Sequence, residues 1–150
     1  MAMVLFAGVA SAQTITTPTQ NLKLQYKGSR VIGNDVELTV LITNTASDDV
    51  TVYLVGGLYQ TGMSGSIAYD NEGNINEMAD VLVSVGNKSL TEQYCAGVFP
   101  AKVPVKCHIL VRNVAKEARV FAQIKLCFLC PQFEINNTGI CFELNNISFR

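Results

Sequence analysis

The sequence predicts an all-β fold, an antiparallel β-sandwich of about eight strands. Three observations carry that expectation. Apolar residues recur with a dominant period of two, the spacing at which strand side chains return to one face. Stretches rich in Gly, Asn, Asp and Ser break these runs into short segments. No amphipathic pattern is long enough for a helical crossover, which a parallel α/β sheet would require.

Along the chain, Leu22-Lys23-Leu24-Gln25-Tyr26 alternates apolar and polar. Gly28 to Asp35, rich in turn formers, separates it from Val36–Thr43, which nearly alternates. Asn44 to Asp49 is a tight connection into Val50–Val55, so residues 36–55 are expected to form a β-hairpin. A Gly- and Ser-rich passage, Gly56 to Ser66, leads to Ile67-Ala68-Tyr69, and Asp70–Asn74 turns the chain. Val81–Val85 reads as a strand, and Ser89-Leu90-Thr91-Glu92 has the pattern of one capped helical turn. In the next strand Val105, Cys107, Ile109 and Val111 share one face, with Lys106, His108, Leu110 and Arg112 on the other. Val120, Ala122, Ile124, Leu126 and Phe128 point inward in the following one, as do Ile140, Phe142 and Leu144 in the last.

Composition narrows the function. Of 150 residues, 49% are apolar and 15% charged, which excludes a disordered tail. A formal charge of -1 gives no overall pull toward nucleic acid or anionic lipid. Residues 1–12 read as a signal peptide: the apolar run Met3–Val9 precedes Ala10-Ser11-Ala12, small residues where a peptidase cuts. No basic residue precedes that run, so the expected translation start lies upstream of Met1. Residues 13–150 then form one domain with no membrane anchor, exported to the periplasm, the cell surface or the medium.

Several segments resemble small immunoglobulin-like domains exported by bacteria, including Bacteroides-like gut bacteria. They are Glu37–Asn44 with the Asp48-Asp49-Val50 turn, Ala68–Asn74, Phe99–Lys106, and the closing Leu144–Phe149. The resemblance spans roughly Gln20 to the C-terminus. It implies an immunoglobulin-like β-sandwich and an export route, and it carries no catalytic residue.

Residues able to do chemistry are few. His108 is the single histidine, and strand alternation places it on the solvent face with Lys106 and Arg112, away from any pocket for a nucleophile. Cys127-Phe128-Leu129-Cys130 has the spacing of a thiol–disulfide oxidoreductase, but it follows a strand and precedes Pro131, without the helix that lowers such a thiol's pKa. If Val120–Phe128 pairs with Ile140–Ser148, Cys127 falls opposite Cys141, both on the outward face. Cys95 and Cys107, flanking another loop, are the second candidate pair, which leaves Cys130 over. Sequence alone leaves this connectivity open. Asp70–Asn74 has its Gly fourth, where a calcium loop of the EF-hand type needs it sixth, so a hairpin turn explains it better. No metal or cofactor motif stands out. Tyr53, Tyr59 and Tyr69 are the candidate ligand-facing rings. The expected function is non-enzymatic binding of a protein partner. A carbohydrate-binding module is the first alternative, and an envelope oxidoreductase using Cys127 and Cys130 the second.

Overall fold

Alternation becomes burial most cleanly in Asp35–Asn44, where every second residue, Val36 to Asn44, is buried. The structure, a computed structural model, describes residues 12–59, 65–135 and 140–150. Its strands are β1 (Thr14–Thr16), β2 (Leu22–Ile32), β3 (Asp35–Asn44), β4 (Val50–Val55), β5 (Ile67–Asp70), β6 (Ile75–Asn76), β7 (Val81–Val85), β8 (Tyr94–Phe99), β9 (Pro104–Val111), β10 (Val120–Leu129) and β11 (Cys141–Ser148). Eight of these have five residues or more, the number the sequence leads one to expect, and β1, β5 and β6 are short additions. A single three-residue 3-10 turn, Pro131–Phe133, is the helical structure among the described residues. The expected signal peptide lies outside them, apart from Ala12.

Two antiparallel sheets face each other. One has the order β2-β3-β9-β7, and the other β1-β11-β10-β4-β8, with β5 and β6 attached beside β10. Their inner faces enclose Phe99, Phe121, Phe128 and Phe142, all fully buried, among Leu22, Leu38, Ile42, Leu54, Ile109 and Ile124. The Phe128 and Phe142 rings stack at 4.8 Å between β10 and β11. Removing each such side chain from water contributes roughly 1.5–3 kcal/mol.

The structure corrects four local readings and adds a face change in β11. Residues 36–55 are not a hairpin, because β3 and β4 belong to different sheets. Asn44, fully buried, holds the corner: its Nδ2 donates to the carbonyls of Asp48 at 2.7 Å and Phe99 at 3.0 Å, and its Oδ1 accepts the Ala46 amide at 2.9 Å. The turn before β3 is confined to Gly33-Asn34. Gly28 instead lies within β2, at a register shift where its φ of 150° suits glycine. In β10 Phe121 is buried while Ala122 is exposed, since the pairing shifts between Phe121 and Gln123 and reverses the faces beyond it. β11 changes face at the same level, around Asn146 at φ 57°, so Ile147 joins Phe142 and Leu144 inside. Thr91 exchanges backbone hydrogen bonds with Val83, so Ser89–Glu92 runs beside β7 with no helical turn.

Asp70–Asn74 is a hairpin turn between β5 and β6. The Asp70 carboxylate accepts the amides of Glu72 and Asn74, each at 2.9 Å, which commits it to the turn.

Candidate functional site on the outer face of the seven-stranded sheet

Strand parity decides what the outer face of this sheet presents. Leu129 and Cys127 of β10 point away from the main core, and Leu129 pairs with Tyr53 of β4. Tyr53 in turn pairs with Ala96 of β8, and Val55 pairs with Tyr94, which puts Tyr94 diagonal to Tyr53 on one face. Beyond β4 the chain turns back, with the amides of Gly56 and Leu58 bonded to the carbonyls of Gln93 and Glu92. A Cβ on Gly56 would stand 2.4 Å from the Glu92 carbonyl oxygen, so glycine is needed for this approach. That approach brings Tyr59 edge-on to Tyr94, with centroids 5.9 Å apart and planes at 85°. Tyr53 and Tyr94 are 6.1 Å apart and tilted by 51°.

The three rings, with Leu129 and Pro131, line a hollow of about 300 Å³. Tyr94 is 52% exposed, and Val98, further along the same strand, is 62% exposed. Of the candidate tyrosines, the structure brings Tyr53 and Tyr59 together and places Tyr69 elsewhere. Tyr94 completes the cluster and was missed. Its signal, alternation of Tyr94, Ala96 and Val98 with Cys95, Gly97 and Phe99, is faint because small residues dilute it.

Tyr69 lines a separate hollow of about 380 Å³ with Lys125, Glu77, Met78 and Glu143. The Cys127–Cys141 disulfide, joining directly paired residues of β10 and β11, lines the same hollow. The bond is where strand pairing puts it, outside the main core, yet Cys127 is buried in a small second cluster with Val55, Tyr59 and Leu129. Ser66 fastens this covering: its hydroxyl donates to Val55 O at 2.6 Å and accepts the Cys127 amide at 2.9 Å.

The remaining cysteines are free and buried. Cys130 packs in the main core, on the opposite side of β10 from Cys127. It precedes only the three-residue 3-10 turn, and burial pushes its thiol up. Cys127 and Cys130 are therefore no redox pair, which corrects the oxidoreductase alternative. Cys95 and Cys107 are not bonded to each other either: both are free, on β8 and β9 of the two facing sheets. Both approach Val85, whose amide donates to Cys95 Sγ at 3.4 Å and which pairs with Cys107. Burial, followed by the neighbouring Cys95, pushes the Cys107 thiol up to about 12.

His108 is on the outer face of the other sheet, as strand alternation predicts. Its Nδ1 is 3.2 Å from Thr39 Oγ1 and 3.8 Å from Glu37 Oε1. Ser84 stands opposite it in register, and the polar partners of the ring among the described residues are Thr39 and Glu37.

No protein-family model matches the chain, and no match was found among curated proteins. Among solved structures it is similar to the apo PmoF2 PCuAC domain, at 10% identity over 87% of this chain and 90% of that one, with a TM-score of 0.44.

Proposed function

We propose that this domain is an exported, non-enzymatic binding module that holds a protein partner in the Tyr53–Tyr59–Tyr94 hollow. The observation that carries the reading is the convergence of three rings from separate segments around Leu129 and Pro131 on an exposed sheet face. Tyrosine buries a large rigid surface at low entropic cost, which is why it concentrates in protein contacts. A protein is favoured over a glycan on geometry. The rings are inclined to one another and offer no shared flat platform, and among the described residues no carboxylate or amide side chain lines the hollow to meet sugar hydroxyls. Strand addition at the edge of β8 is less favoured, because Lys88 Nζ donates to the Ala96 carbonyl on that edge. Export is supported by the Cys127–Cys141 bond, which persists in oxidising compartments. Among the described residues no helix is long and apolar enough to cross a membrane.

The test is crosslinking in the native host's envelope with wild-type protein and Tyr53→Ala/Tyr94→Ala, together with a glycan array. A protein adduct lost in the variant supports the reading. An adduct unaffected by the substitutions, or glycan binding that they abolish, overturns it.

A further inference from the structure

The net charge of -1 conceals an uneven distribution. Strands β2, β3, β9 and β7 carry Lys23, Lys27, Arg30, Lys106 and His108 against two carboxylates, Asp35 and Glu37. Register decides which side these occupy. Across β2 and β3, Lys23 pairs with Thr43, Gln25 with Leu41 and Arg30 with Glu37. Across β3 and β9, Leu41 pairs with Lys106 and Thr39 with His108. These positions alternate with buried Leu38, Val40, Ile42, Cys107 and Ile109, so they share the solvent side. Lys27 shares the parity of Lys23 and Gln25, and the register shift at Gly28 brings Arg30 to the same side, where Lys27, Arg30, Glu37 and Thr39 line an open hollow of about 450 Å³.

Both carboxylates are engaged. Asp35 accepts the Asn113 amide at 3.2 Å, and Glu37 pairs with Arg30 at 3.3 Å. Lys23, Lys27 and Lys106, all exposed, have no carboxylate within ion-pair distance among the described residues.

We infer that this face binds a linear anionic polysaccharide, independently of the tyrosine hollow. Lys27 and Lys106 stand on strands two apart, about 10 Å across the sheet. That suits a chain whose acidic groups recur at intervals. Thr39, Thr43 and Gln25 supply hydroxyl and amide groups between the cations, the partners that sugar hydroxyls require. The face carries no Phe, Tyr or Trp on which nucleobases would stack. Leu41 and Leu110, its central aliphatics, are half-buried and cannot enter a lipid interface.

The experiment measures binding of the oxidised chain to dextran sulfate, neutral dextran, single-stranded DNA and phosphatidylglycerol-containing vesicles over a range of salt. The expected result is binding to dextran sulfate that weakens steeply with salt, and none to neutral dextran. Lys27→Glu/Lys106→Glu should lower that affinity about tenfold or more, given roughly 1 kcal/mol for each cation near an anionic surface. Lys116→Glu/Arg119→Glu, with the same change in net charge elsewhere, should lower it less than threefold. Circular dichroism shows that each variant is folded, and Lys27→Gln/Lys106→Gln repeats the test without introducing carboxylates. Equal loss in both glutamate variants, equal binding of neutral dextran, or tighter binding of DNA or vesicles overturns the inference.

Discussion

The two sheets bury their inner faces in the same way and differ in almost everything else. The four-stranded sheet keeps one parity along β3 and along the inward half of β9, and its single register shift sits at Gly28. The seven-stranded sheet changes face in β10 and β11 at one level, carries the disulfide, and has part of its outer surface covered by Tyr59 and Ser66. The regular sheet presents charges and hydroxyls, whereas the irregular one presents inclined rings and two hollows.

If the sheets share one core, damage to either should unfold both. Phe142→Ala, which removes the ring stacked on Phe128, should cost about 3–5 kcal/mol, and Leu38→Ala in the regular sheet about 2–5 kcal/mol. Urea denaturation followed by far-ultraviolet circular dichroism should show one cooperative transition moved to lower denaturant in both. Two separate transitions in either variant would mean that the sheets are independent units.

The cysteines sharpen the contrast. Reducing Cys127–Cys141, whose partners are 14 residues apart, should cost about 3 kcal/mol on the chain-entropy estimate, measured as the fall in unfolding free energy. Cys107 acts through pH instead. Its thiol ionises near 9.0 ordinarily and at about 12 in the fold, so the neutral form is the one the core holds. That contribution is fully present below pH 9 and is lost as pH rises from there toward 12. Stability should fall by about 1 kcal/mol per pH unit over the start of this window, and Cys107→Ala should flatten the slope.

Asn44 joins the two regions, so its loss tests the junction. Asn44→Ala leaves the carbonyls of Asp48 and Phe99 and the amide of Ala46 without their partner, a cost of about 1–3 kcal/mol in the same denaturation assay. Asn44→Asp should fare no better, because a carboxylate cannot donate to two carbonyls.

Asn44 also shows where sequence reasoning reaches and where it stops. Local alternation made the strands on both sides of it legible, because burial on one face is written directly into a period of two. Where the chain crosses to the other sheet, Asn44 meets Phe99, 55 residues away, which no local pattern contains. The same division runs through the site. Cys127 and Cys141 were legible together because two neighbouring strands fix their register, whereas Cys95 and Cys107 depend on how two sheets stack. Tyr53 and Tyr59 could be named from their segments. Tyr94 could not, because Cys95, Ala96 and Gly97 give β8 too little apolar bulk to read as a strand. The face changes in β10 and β11 were hidden because one shifted pair reverses every later assignment.

The smallest effect belongs to the regular sheet. Arg30 is well exposed and meets Glu37 at 3.3 Å, so the pair is solvated and contributes less than about 1 kcal/mol. Arg30→Ala should leave the urea midpoint nearly unchanged. It also leaves Glu37 without its cation, beside Thr39 and His108, so the face loses positive potential while the core is untouched. Weaker retention on dextran sulfate with unchanged stability would separate what this sheet does at its surface from what holds it together. A fall in stability as large as that of Asn44→Ala would show instead that Arg30 is structural, and that the solvent face of the regular sheet is part of its scaffold.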